Sequence, residues 1–188
     1  MTTETYKGDV CSANHAFALD NFFRRLIQNP EKITGAYINK GDTIIDIGCG
    51  PGFFSTAMAR MTGSGGRVIA VDLQNKMLEK VERKAQKLGL TGQMSFHKCA
   101  QDQLGFQEDV KADFILAYYM VHETPDHDLF FMQVKKHLKS SGNFLIVEPP
   151  FHVGRKKFQE ITDSAIRAGF KVADKPGKKG GKSLLLTL

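Results

Sequence analysis

Residues 43–54 read Thr-Ile-Ile-Asp-Ile-Gly-Cys-Gly-Pro-Gly-Phe-Phe, a β-branched apolar run that passes straight into three alternating glycines and then a helix-like segment. A chain with this feature turns sharply at the carboxyl end of a strand, and in open α/β sheets that end is where ligands bind. Glycine lets the backbone approach a ligand with no Cβ in the way. The rest of the chain repeats the alternation. Strand patterns fall at 43–47, 67–71, 94–98, 113–118, 143–148, 171–174 and 183–187, with helix patterns at 54–61, 76–88, 126–138 and 155–168 between them. Thr62-Gly63, Gly89, Ser141-Gly142 and Gly169 supply residues that accept a left-handed backbone after each helix.

Strand-helix alternation forces parallel pairing through right-handed crossovers, so the expected fold is a doubly wound α/β sheet with helices on both faces. The last two strand candidates are separated only by a Pro/Gly/Lys-rich loop, which predicts a C-terminal antiparallel hairpin on a seven-stranded, mostly parallel sheet. Upstream, residues 15–27 carry a helix-like apolar stripe, and a short helix is expected from Pro30 with Asn29 as its cap. The expected organisation is one domain over 1–188, with a helical lid at 1–40 and a Rossmann-like core at 41–188.

Composition bounds the partners. With 188 residues, 41% hydrophobic, the chain has the make-up of one folded domain. The longest apolar run, 114–121, is far short of the roughly 18 residues of a membrane-spanning helix. The first residues lack the apolar core of a signal peptide, so the expected compartment is the cytoplasm. Cys11, Cys49 and Cys99 are odd in number and form no C-x-x-C pair, which predicts neither disulfides nor a metal site. Residues 155–188 hold nine basic residues against three acidic ones, giving +6, whereas the first 154 residues balance at 17 against 17. That tail has few interleaved aromatics, so it reads as solubilising and nucleic acid is not the expected partner.

Spacing narrows the ligand. In Gly48-x-Gly50-x-Gly52 the third glycine comes one place earlier than in a dinucleotide fingerprint, and Phe53 stands where that fingerprint wants glycine. Asp46 just before the loop would repel a pyrophosphate and attract a cation. Asp72, 20 residues after Gly52, stands at the distance at which a strand-end acid grips ribose hydroxyls.

These residues resemble the class I S-adenosylmethionine-dependent methyltransferases. Asp46-Ile-Gly-Cys-Gly-Pro-Gly52 is similar to their first motif and Val68-Ile-Ala-Val-Asp72 to their second strand. The similarity continues through 112–123 and 142–148 to the final hairpin, and is closest to the small-molecule branch that includes quinone-biosynthetic and metalloid methyltransferases. The resemblance implies S-adenosylmethionine as cofactor and S-adenosylhomocysteine as product. It implies contacts from Asp46 to the amino group, from Gly48, Gly50 and Gly52 to the methionine part, and from Asp72 to the ribose, with Leu73 and Tyr118 also in the cofactor site. The family's acid for the adenine amino group falls at Ala100, so Gln101 or Asp102 must take its place.

Acceptor residues belong in the loops after the fourth and fifth strands, which offer Tyr118, Tyr119 and His122, and Pro149 to His152. His122 and His152 are the candidate general bases, and Tyr118 and Tyr119 join them as substrate residues. Without an appended recognition domain, a small-molecule acceptor is expected, bound by a monomer or homodimer. The alternatives are an RNA or protein methyltransferase using the basic tail, and a cofactor-binding homologue that transfers nothing. A metalloid acceptor would ask for several thiols near the cofactor, and Cys11 and Cys99 are the candidates.

Overall fold

The computed structural model describes residues 28–107, 109–177 and 181–188. Asn29 caps α1 (Pro30–Thr34) by accepting from the Lys32 N–H, as its sequence predicts. The core then runs β1 (Thr43–Ile47), α2 (Phe53–Thr62), β2 (Arg67–Asp72), α3 (Asn75–Lys87), β3 (Met94–Lys98), β4 (Ala112–Tyr118), α4 (His127–His137), β5 (Leu138–Glu148), α5 (Arg155–Arg167), β6 (Lys171–Asp174) and β7 (Lys182–Thr187). The strands make one seven-stranded sheet in the order β3-β2-β1-β4-β5-β7-β6. Pairing is parallel from β3 to β5, while β7 runs antiparallel between β5 and β6. This is the expected doubly wound sheet with its antiparallel C-terminal edge. The expected helix at 15–27, Cys11, Lys178 and Lys179 lie outside the described residues.

Alternation within each strand divides the core into two layers. Ile45, Ile47, Ile69, Val71, Ile115 and Ala117 face Phe130, Phe131 and Val134 of α4 and Ile161 and Ala165 of α5. Ile44, Val68, Ala70, Phe114 and Leu116 face Phe54, Met58 and Ala59 of α2 and Leu78, Val81 and Ala85 of α3. Because both faces are covered, the central strands β1, β2 and β4 are apolar and buried nearly throughout. Met132, next to the buried Phe130 and Phe131, is 53% exposed.

The structure departs from the sequence pattern after α4. No left-handed turn forms at Ser141-Gly142, because the chain enters β5 directly at Leu138, whose backbone is already extended. Leu138 is buried and pairs with Ala112, and the register then shifts so that Phe114 pairs with Asn143. Gly142 sits in that irregularity, where a Cβ would lie 3.0 Å from the carbonyls of Ala112 and Asp113. Burying Leu138 thus replaces the expected turn with an irregular start to the strand. The other three helix ends, at Gly63, Gly89 and Gly169, have the expected positive φ.

Candidate active site

The switch in strand order between β1 and β4 opens a crevice at the carboxyl ends of the parallel strands. There the molecule has a cleft of about 330 Å³. The loop from Gly48 to Gly52 forms one wall and is stapled to β2: Gly48 and Cys49 both donate to the Val71 carbonyl at 2.9 Å, and Gly50 N donates to Asp72 Oδ2 at 3.0 Å. Asp72 Oδ1 accepts from Gln74 N at 2.9 Å, which holds the carboxylate at the strand end. Burial pushes the Asp72 carboxyl above the ordinary carboxylate range, against the pull of the Gln74, Gly50 and Leu73 N–H groups. On the other side of the loop, Asp46 is 2% exposed and accepts from the Ser55 hydroxyl in the first turn of α2.

The three glycines have positive φ but separate roles. A Cβ on Gly52 would lie 2.0 Å from Cγ2 of Val81, and one on Gly48 would lie 2.9 Å from Met120, whereas a Cβ on Gly50 meets nothing within 4 Å. Gly48 and Gly50 line the cleft and Gly52 does not. Gly52 carries a packing constraint of its own, because α3 lies against it where a Cβ would stand. Gly52→Ala should combine a strained φ with overpacking and cost about 2–5 kcal/mol, read as a large fall in melting temperature. Gly50→Ala should cost only about 1–2 kcal/mol of strain, yet weaken cofactor binding by filling the cleft, as calorimetry would report.

Leu73, Gln101, Tyr118, Tyr119, His122 and His152 line the same cleft as Asp46, Gly48, Gly50 and Asp72. The loop carrying Gln101 is held from α4, a contact between segments about 30 residues apart that local pattern does not reveal. Gln133 donates to the Asp102 carbonyl and accepts from Leu104 N, both at 2.8 Å. Tyr118 packs between Phe54 and Tyr119, at 4.3 and 4.2 Å between ring centres. Tyr119 is the non-glycine residue with positive φ, 61°, among those described. Its N–H donates to the Val147 carbonyl at 2.7 Å and its hydroxyl accepts from Gln28 at 3.1 Å. Such strain in a rim residue is held by the contacts around it.

The two candidate histidines differ. His122 Nδ1 lies 2.5 Å from Glu148 Oε2, and its backbone N donates to Glu148 Oε1 at 3.2 Å. Glu148, at the end of β5, is 0% exposed, so its carboxylate orients His122 and places the ring proton on Nδ1. That leaves Nε2, 4.0 Å from Glu123 Oε1, as the basic nitrogen. His152 is exposed, its ring centre 6.2 Å from that of His122. Sequence pattern places Glu148 only at the end of a strand, and an acid closing an otherwise apolar run is the signal it offers.

The surroundings of the cleft thiols disfavour the thiolate form. Burial, then the nearby Asp46 and Asp72, push Cys49 well above the usual thiol range, and burial and Asp72 push Cys99 up to about 11. At pH 7 Cys99 should carry about 100-fold less thiolate than an ordinary thiol, so iodoacetamide alkylation of the folded chain should be correspondingly slow. Fast alkylation of Cys99 would contradict this. These thiols give no support to capture of a metalloid acceptor, and no group of three or more His, Cys, Asp or Glu suited to a metal occurs among the described residues.

The strand order, glycine loop and strand-end acids define a Rossmann-like domain of the methyltransferase type. A family model described as a methyltransferase domain matches residues 38–174, and the chain belongs to this family. The ubiquinone/menaquinone biosynthesis C-methyltransferase UbiE of Haemophilus ducreyi is 26% identical over 111 residues, covering 59% of this chain and 42% of the relative. The protein of that name from Enterobacter sp. is 23% identical over 142 residues, 76% of this chain and 54% of the relative. The chain thus spans about half the length of the curated relatives it matches. A SAM-dependent methyltransferase from Aquifex aeolicus superposes with a TM-score of 0.83 at 22% identity, over 93% of this chain and 97% of that one. The fold is that of the class I methyltransferases. Among the described residues no helix is long and apolar enough to cross a membrane.

Proposed function

We propose that the chain transfers a methyl group from S-adenosylmethionine to a small-molecule acceptor, as the UbiE-named relatives are named for methylating carbon. The observation that carries this reading is the pair of buried carboxylates on either side of a stapled glycine loop. Asp72 keeps an under-solvated carboxylate at the ribose end, Gly50 leaves open space where a Cβ would stand, and Asp46 offers negative charge to an amino group. The residues present therefore fit the cofactor. Gly48, Leu73 and Tyr118 complete its site, and Gln101, on the loop held by Gln133, meets the adenine edge.

When bound, S-adenosylmethionine supplies a methyl group already activated on a sulfonium. The chain then has to align the acceptor, exclude water and take up a proton. Tyr118, Tyr119 and Met120 wall the acceptor side with apolar and aromatic surface. His122 takes the acceptor's proton on Nε2 while Glu148 stabilises the resulting imidazolium through Nδ1–H. His152, exposed and without such a partner among the described contacts, shapes the rim of the acceptor site.

A concave cleft of about 330 Å³ favours a small acceptor over a polymer. The cytoplasm remains the proposed location, with a monomer or homodimer as the assembly. Incubation with deuteromethyl-labelled S-adenosylmethionine and a panel of phenols, activated carbon acids and amines, read by mass spectrometry, tests the reaction. Label should appear in a small acceptor whose proton is acidic. Label found only in RNA or protein would replace this reading with the polymer one, and cofactor binding without label in any acceptor would support a cofactor-binding homologue.

A further inference from the structure

The loop between β5 and α5 is built as a rigid projection beside the cleft mouth. Val153 is fully buried, its N–H donates to the Pro149 carbonyl at 3.1 Å, and its own carbonyl accepts from Lys182 at 2.7 Å. Both ends of the turn are thus fixed. Its tip, Pro150, Phe151 and His152, is exposed, and the Phe151 side chain is 100% exposed. Single exposed apolar residues are common, but among the described residues nothing packs on this whole phenyl ring at the end of an anchored turn. Pro149 and His152 on either side of it line the cleft, as does the partly exposed Leu129 of α4.

The helix turn that follows this tip is basic, while Glu123 and Asp126 line the cleft itself. Arg155, Lys156 and Lys157 fill the first turn of α5, and all three are exposed. No acid stands in that turn and Gly154 provides no side-chain cap, so three cations sit where the helix dipole disfavours them. None of the three enters an ion pair among the described residues, and the nearest acids on the helix are Glu160 and Asp163, one to two turns on. Phe158, Ile161 and Ala165 fix the opposite face of α5 in the core, which keeps the cations outward.

We propose that Phe151 and the Arg155-Lys156-Lys157 turn form a docking surface for an anionic phospholipid bilayer, setting the cleft mouth against the membrane. An exposed aromatic ring that can enter the acyl boundary, next to cations that pair with lipid phosphates, is the combination that holds a protein on such a surface without spanning it. The cleft then opens toward lipid, and an amphiphilic acceptor can pass between bilayer and cleft. The docking goes beyond the methyl-transfer reading and does not depend on it, because vesicle binding needs no cofactor.

Co-sedimentation with vesicles of phosphatidylcholine alone, and with about 30% phosphatidylglycerol added, tests the proposal. The chain should bind the anionic vesicles, more weakly as salt rises, and bind the neutral ones poorly. Phe151→Ala should lower the partition coefficient about 10-fold. Together, Arg155→Gln, Lys156→Gln and Lys157→Gln should lower it on the order of 100-fold, at about fivefold per charge. Both variants should keep the parent melting temperature and S-adenosylhomocysteine affinity. The chain contains no tryptophan. Phe151→Trp therefore places one reporter at the tip, and its emission should shift to the blue on anionic vesicles only. No vesicle binding, unchanged partition in both variants, or a tip reporter that stays in water would overturn the proposal. So would binding of tRNA through the same cations that displaces the vesicles, which would make the turn a nucleic-acid surface.

Discussion

Asp72→Ala will weaken S-adenosylhomocysteine binding by about 100-fold or more, the loss of two charge-assisted hydrogen bonds of roughly 1.5–3 kcal/mol each. Stability should change far less. The variant loses the contacts from Gly50 and Gln74, but it also loses a carboxylate that burial disfavours. The pH dependence follows from the raised pKa. The folded, cofactor-free chain holds the Asp72 proton more tightly than the unfolded chain, for which the ordinary value is 3.8. Stability from this group is therefore fully present below that value and is lost as pH rises through the folded pKa. In the proposed binding mode ribose hydroxyls would donate to the ionised carboxylate, so binding would select the charged form. Cofactor affinity should fall on acidification through the same window, and Asp72→Ala should flatten that dependence. Equal affinity in parent and variant at neutral pH would remove Asp72 from the site.

Glu148→Gln will lower turnover about 10²- to 10⁴-fold for an acceptor that must lose a proton, with cofactor affinity nearly unchanged. Both oxygens of Glu148 are committed to His122, one to its backbone N–H and one to Nδ1. A glutamine keeps the shape but turns an N–H donor toward one of those groups. If it faces Nδ1, the ring proton moves to Nε2 and the basic nitrogen is lost. His122→Ala should match the loss, whereas His152→Ala should keep most of the turnover. Full turnover in Glu148→Gln and His122→Ala alike would leave the pair a packing role.

The parts of this site visible in the sequence are those written in consecutive residues. Asp46, Gly48 and Gly50 follow one another, and Asp72 ends the adjacent strand, so apolar runs and spacing locate them. The strands at 43–47, 94–98 and 171–174 agree with the structure to the residue for the same reason. What sequence pattern missed comes from contacts across the fold. Glu148 grips His122 from 26 residues away, and Gln133 holds the loop before Leu104 from 29 residues away. The packing of Val81, on the next helix, against Gly52 is likewise invisible in the glycine spacing. Leu138 joined a strand early because burial against Ala112 outweighed the Ser-Gly turn signal.

The central claim is that this cleft holds a sulfur nucleoside cofactor between Asp46 and Asp72, and calorimetric titration of the full chain with S-adenosylhomocysteine and, separately, NADH tests it most directly. The account predicts one site per chain for S-adenosylhomocysteine and much weaker or no binding of NADH, because the glycine spacing does not provide a pyrophosphate cradle and Asp46 repels one. Tighter binding of NADH, or no binding of S-adenosylhomocysteine by a folded chain, would contradict it.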